Sequence, residues 1–292
     1  ERLPAPGETA RGANFRMIPG GKGANQACAA ARLARQTPVR MIGRVGFDSF
    51  ADHLRASLAA AGVDTSMIHG CRRAPTGVAL IWVDAAGQNS IVIAPGANDE
   101  LAPADIETER AAFVSASCAL FQLETPLETV AAGLRLARSG GALAMLDPAP
   151  ARPLPPEMLA LVDLLTPNET EACLLAGRPP ARIGADEAPA LAAELRARGA
   201  RAVALKLGDQ GCYYSGPAGE CRVAAFAVEA VDATAAGDTF NGALAVALSE
   251  GMAMPEALRF ANAAAAISVT RLGAQVSIPS REEVGQFLAA RA

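Results

Sequence analysis

The sequence predicts an α/β protein: a mostly parallel sheet flanked by helices, with a small β-sheet lid. Three observations predict it. Strand-like and helix-like stretches alternate from residue 39 onward, the pattern of strands joined by covering helices. Short runs rich in glycine, asparagine and acid follow apolar strand patterns or open helical ones. Residues 9–19 and 77–93 break the alternation, with strand patterns and no helix between them.

Taken in order, residues 9–19 read as hairpin material and 24–35 as a helix. Residues 39–45 read as a strand and 50–61 as an amphipathic helix. Residues 78–83 and 90–93 flank a turn at 84–89 and form a second hairpin. Its plainest place is an antiparallel extension of the main sheet. Residues 119–123 and 142–146 are short apolar strands around a helix over 127–138. Apolar strand patterns recur over 159–165 and from 202 onward. Helical runs follow over 240–248 and 255–270. Ligands on such sheets collect at the carboxyl ends of the strands, so one shared cleft is expected.

The 292 residues suffice for one large domain or two modest ones. No repeat or low-complexity linker interrupts them, so one domain over residues 1–292 is expected, with lid segments near 8–19 and 77–93. A net charge of −4 speaks against a nucleic-acid or membrane surface. No uninterrupted apolar stretch is long enough to span a bilayer. The six cysteines form no Cys-x-x-Cys pair, and the chain has two histidines. Reduced thiols in a cytoplasmic protein are expected rather than a zinc site. No G-x-G-x-x-G follows a strand and no G-x-x-x-x-G-K-[ST] occurs, which argues against a nicotinamide dehydrogenase and a P-loop kinase.

The most informative stretch runs from Val231 through Asp232, Thr234, Ala235, Ala236 and Gly237 to Asp238, then into a helix. Small residues let backbone approach a ligand, and the free N–H groups of a helix start attract an anion. A carboxylate there would repel phosphate unless it takes a proton from a hydroxyl attacking that phosphate. Asp238 is therefore either that base or an ordinary helix cap. Three further motifs stand elsewhere: Gly20-Gly21-Lys22-Gly23-Ala24-Asn25-Gln26, Thr166-Pro167-Asn168-Glu169-Thr170-Glu171, and Leu205-Lys206-Leu207-Gly208-Asp209-Gln210-Gly211.

With these motifs in this order, the chain resembles the ribokinase-like (PfkB) carbohydrate kinases over nearly its whole length. The resemblance implies their Rossmann-like fold and ATP-dependent phosphorylation of a sugar, here D-ribose at its primary 5-hydroxyl. Deoxyribose, fructose, nucleoside or keto-deoxy-sugar kinases share that fold, and a non-catalytic sugar sensor is a further alternative. It implies Asp238 as the base and Ala235, Ala236 and Gly237 as an anion hole. It implies Gly21, Asn25, Glu124 and Asp238 as sugar contacts. Asn168, Lys206, Gly208, Gly211, Gly237 and Asn262 would contact ATP. Glu171 would hold Mg2+ through water. Asp232, Thr234, Ser268, Arg271, Gly273 and Ser277 match positions that hold K+. From the residues alone, Asn25 and Glu124 suit ordinary positions at a helix start or strand end, Asn168 and Glu171 a capping pair, and Asp232 a loop cap.

The match has departures. Lys206 stands where threonine is frequent. Asp147 stands where asparagine is frequent, and is expected to touch none of the motifs. The resemblance also implies a homodimer formed through the β-lid. In the resembling family a strand bearing an Asn-x-Asp motif for sugar hydroxyls precedes the position of Glu1. That strand is missing from the chain as given, and a truncated or unrecorded start is expected.

Overall fold

The computed structural model of the chain describes residues 7–84 and 89–291. After helix α1 (Lys22–Leu33) come two short parallel pairs, β1 (Val39–Arg40) with β3 (Val63–Asp64) and β2 (Gly43–Val45) with β4 (Ile68–Gly70). Helix α2 (Ser49–Ala60) connects them. The single strand expected over 39–45 is thus two, because each half pairs with a different partner. An antiparallel hairpin follows, β5 (Val78–Val83) and β6 (Asn89–Ala94). Its expected turn lies partly outside the described residues.

Helices α3 (Pro103–Thr108) and α4 (Arg110–Val114) lead into the main sheet. There β7 (Cys118–Phe121), α5 (Leu127–Gly140), β8 (Leu143–Leu146), α6 (Pro156–Leu159) and β9 (Leu164–Leu165) alternate. Helices α7 (Glu169–Leu175) and α8 (Ala188–Ala197) precede β10 (Val203–Lys206). The hairpin β11 (Cys212–Gly216) and β12 (Gly219–Val223) completes a six-stranded sheet in the order 12-11-10-9-8-7. Strands β7 to β10 are parallel, and β11 and β12 add an antiparallel edge. Helices α9 (Ala236–Ser249), α10 (Met254–Ser268) and α11 (Arg281–Ala289) follow.

The strands alternate between two apolar layers. Leu146, Leu165 and Leu205 pack with Leu134 of α5 and with Leu191 and Leu195 of α8. Met145, Leu164 and Ala204 pack with Phe240 and Leu244 of α9 and Leu258 of α10. Each such leucine contributes about 1.5–3 kcal/mol on burial. The period of two along the strands puts successive residues on opposite layers, and both layers are covered.

Two further expectations fail. Residues 9–19 form no strand: Asn14 takes a left-handed φ of 58°, and Phe15, Met17 and Ile18 are exposed, so no buried face sets a register. Only Leu164 and Leu165 of the apolar run 159–165 are strand; Leu159 ends α6, and the run was a strand pattern in hydrophobicity alone. The β5–β6 hairpin is apolar and exposed along its length, at Leu80, Ile81, Trp82, Val83, Ile91, Val92 and Ile93. All six cysteines are free thiols. Among the described residues no helix is long and apolar enough to cross a membrane.

Candidate active site

The four parallel strands end on one side of the sheet, and the polar motifs leave from those ends. Glu124 follows β7, Asp147 follows β8, Asn168 follows β9, and Lys206 is the last residue of β10. Asp147 N–H donates to Phe121 O at 2.8 Å, which carries the parallel register one residue past the strands. An isolated bridge between Asn168 and Lys206 does the same between β9 and β10.

Helices α1 and α9 supply the rest. They approach closely because both are built of small residues. A Cβ on Gly242 would lie 2.6 Å from Ala29 Cβ and 2.6 Å from Gln26 O. That approach sets Asn25 and Gln26 against Asp238 in the first turn of α9. Asn25 Nδ2 donates to Asp238 Oδ2 at 2.9 Å, and Gln26 Nε2 donates to Asp238 Oδ1 at 2.9 Å. Asn25 Oδ1 is buried with no partner among the described residues. The start of α1 requires Gly21, whose φ is 90° and which offers no side-chain cap. Glu124 takes the cap's place from the loop after β7: its Oε2 accepts from Lys22 N–H at 2.8 Å.

Ala235 caps the start of helix α9 in a left-handed conformation with φ 60°. Ala236 N–H closes a turn on Ala233 O at 3.2 Å. Lys206 Nζ lies 3.5 Å from where a Cβ on Gly237 would be. A cation therefore sits over the first turn of α9, where the peptide dipoles already favour an anion.

Burial raises the pKa of Asp238, against the lowering influence of Lys22, Asn25 and Gln26. Glu124 and Glu171 are raised as well, again mainly by burial. Burial opposes the charge of Lys206, but Asp147 and Glu171 outweigh it and raise its pKa. The acids of the cleft thus hold Lys206 charged, while burial pushes Asp238, Glu124 and Glu171 themselves toward protonation.

Asn168 and Glu171 form a capping box at the start of α7. Asn168 Oδ1 accepts from Glu171 N–H at 2.8 Å, and Glu171 Oε2 accepts from Asn168 N–H at 2.8 Å. Gly208 and Gly211 both take positive φ in the turn between β10 and β11, where Leu207 N–H donates to Gly211 O at 2.8 Å. Asn262 spends its amide on the carbonyls of Val223 and Ala224, each at 3.2 Å, and so anchors the end of β12 to α10.

The loop before α9 lies along the segment after α10. Asp232 Oδ1 accepts from Thr234 N–H and Oγ1, and its Oδ2 accepts from Gly273 N–H at 2.9 Å. Burial opposes its charge, but these donors hold its pKa below the usual carboxylate range. Arg271 N–H donates to Ser268 O, while the Arg271 side chain pairs with Glu283 at 2.5 Å. Ser277 is buried and donates to Ala274 O. Among the described residues no three His, Cys, Asp or Glu side chains converge on a point, so any cation here would rest largely on backbone oxygens.

One expectation is overturned by this geometry. Asp147 does touch the motifs. Its Oδ1 accepts from Lys206 Nζ at 2.9 Å, and its Oδ2 accepts from Gln26 Nε2 at 2.9 Å. The two departures at 147 and 206 are one buried ion pair. Lys22, Gln26, Gln122 and Asp147 join the cleft without having been named as site residues. Lys22 and Gln26 stand inside the Gly-Gly-Lys-Gly-Ala-Asn-Gln run, which was the available signal.

The whole-chain comparisons agree with this architecture. The family model described as "pfkB family carbohydrate kinase" matches residues 1–281. The chain belongs to the PfkB family of carbohydrate kinases. This PfkB kinase is 43% identical to the ribokinase of Haemophilus influenzae over 285 residues, 97% of this chain and 91% of that one. It is 36% identical to the deoxyribokinase of Salmonella typhi over 98% of this chain and 93% of that one. Its fold superposes with a TM-score of 0.89 on the structure of Arabidopsis thaliana ribokinase complexed with ribose and ATP, at 34% identity, covering 99% and 93% of the two chains. It is an ATP-dependent sugar kinase.

Proposed function

We propose that this kinase transfers the γ-phosphoryl group of ATP to the primary 5-hydroxyl of D-ribose, giving ribose 5-phosphate. The observation that carries the mechanism is the buried Asp238 carboxylate at the start of α9, beside both the helix amides and the Lys206 ammonium. An acid in that place serves as a base. Asp238 takes the proton of the sugar hydroxyl as its oxygen attacks phosphorus. Asn25 and Gln26 hold the carboxylate by donating to it, so its remaining lone pairs face the cleft. The unpartnered Asn25 Oδ1 accepts from a sugar hydroxyl, and Gly21 and Glu124 line the same pocket.

The backbone amides of Ala235 and Gly237 and the Lys206 ammonium balance charge on the transferring group, joined by Ala236 once its N–H leaves the turn bond to Ala233 O. Asn168, Gly208, Gly211 and Asn262 line the path of the nucleotide. Glu171, already oriented by its capping bond, would hold Mg2+ through water near the phosphates, and the metal would supply charge neutralisation there. Asp232, Thr234, Ser268, Arg271, Gly273 and Ser277 would hold K+, which would help order the loop leading into the anion hole. The exposed apolar β5–β6 hairpin serves as a lid that pairs with a second copy, which would cover its two-sided apolar surface. Six free thiols suit a cytoplasmic setting.

Likeness to both a ribokinase and a deoxyribokinase makes 2-deoxyribose the main competing substrate. A coupled assay of ADP release over D-ribose, 2-deoxyribose, fructose, a nucleoside and a keto-deoxy sugar, in K+ and in Na+ at equal ionic strength, tests the reading. D-ribose should give the highest kcat/KM, and K+ should exceed Na+. A higher kcat/KM for another sugar overturns the substrate, and equal rates in the two salts overturn the K+ site.

A further inference from the structure

The base in the proposed mechanism does not stand alone. Gln26 Nε2 carries two protons and gives one to Asp238 Oδ1 and one to Asp147 Oδ2, both at 2.9 Å. Gln26 Oε1 accepts from Gln122 Nε2 at 2.5 Å, so the amide is fixed from both ends. Asp147 is 2% exposed and its other oxygen accepts from Lys206 Nζ. Its backbone is pinned by the bond to Phe121 O. The carboxylate therefore meets two donors from opposite sides. An asparagine has one acceptor oxygen and could meet only one of them. The charged ammonium makes the stronger bond, so an asparagine at 147 would turn its oxygen to Lys206 and leave Gln26 without its acceptor.

From this geometry we infer that Asp147 is a positioning residue for phosphoryl transfer: through Gln26 it orients the Asp238 carboxylate toward the sugar hydroxyl. The inference rests on the reading of Asp238 as the base. Asp147 touches Lys206 and Gln26 rather than the reacting atoms, and its path to the base runs through the Gln26 amide. Misplacing a reacting group by about 1 Å costs about a hundred-fold in rate, so loosening the carboxylate should lower kcat about ten- to hundred-fold.

The test is a cycle of Asp147→Asn, Gln26→Leu and the double variant, with Asp238→Asn beside them. Turnover, sugar KM and thermal unfolding are measured with whichever sugar the wild type uses best. Each single variant should lose about ten-fold or more in kcat with sugar KM within about three-fold. The double variant should be no worse than the weaker single, because both cut the same link. A residue that only supports the fold would lower the unfolding temperature and leave kcat of the folded fraction unchanged. If Asp147→Asn does not accumulate as folded protein, Gln26→Leu decides, since it leaves the Asp147–Lys206 pair intact. Losses that multiply, or kcat within two-fold of wild type in the single variants, overturn the inference. Turnover surviving in Asp238→Asn overturns the base itself. An inactive Asp238→Asn together with a fully active Asp147→Asn overturns only the inference.

Discussion

One amide nitrogen of Gln26 bonds an oxygen of Asp238 at 2.9 Å, although 212 positions separate the two residues in the chain. The contact exists because α1 and α9 cross closely at Ala29 and Gly242. It joins the first motif to the last, and the chemistry of the cleft depends on it.

Asp238→Asn tests the base. Asn25 and Gln26 both donate to this side chain, and an amide satisfies one of them with its oxygen. Turnover should fall about 10²- to 10⁴-fold, the usual share of base catalysis. Nucleotide binding, measured by calorimetry, should stay near that of the wild type. Turnover close to wild type would remove Asp238 from the mechanism.

The pH dependence follows from the same burial. Burial raises the pKa of Asp238, and the Lys22 charge lowers it. The base works only when ionised, so activity is lost as pH falls through that raised pKa. The acid limb of kcat/KM should therefore lie above the ordinary aspartate range. Lys22→Met removes a cation that favours the carboxylate, and should move the limb to still higher pH. A limb that stays in place or moves down contradicts the assignment.

Glu171→Gln separates the metal from the cap. A glutamine oxygen can still accept from Asn168 N–H, so the capping box and the fold should survive. Turnover should fall, and rising Mg2+ should recover part of it, while sugar KM changes little. Loss of sugar affinity with an unchanged Mg2+ response would show that Glu171 serves the sugar pocket instead.

Gly242→Ala tests the helix crossing. The added Cβ would meet Ala29 Cβ and Gln26 O at 2.6 Å, so α1 and α9 must part. Overpacking of this kind costs about 1–3 kcal/mol, and turnover should fall with it because Asn25 and Gln26 move away from Asp238. Gly285→Ala is the control, since beyond its own helix backbone and chain neighbours nothing lies within 4 Å of its added Cβ. Denaturant unfolding and kcat of the two variants check this; equal stability would mean the crossing tolerates a methyl group.

Local pattern was enough for the α/β class, the helix opened by the run before Asp238, and the hairpin at 78–94. Each rests on signals within a few residues: hydrophobic period, small residues at a helix start, and apolar alternation around a turn. Local pattern failed for residues 9–19 and 39–45, because a strand is defined by its partner, and the partner is distant in the chain. The roles of Asp147 and Lys206 were beyond reach for the same reason. Each looked like an isolated departure, and only two parallel strands, β8 and β10, ending at one level on either side of β9 make them a buried pair. The residue types of the cleft are thus written in the motifs, while their charges, partners and basicity arise from burial and from contacts between segments up to 213 positions apart.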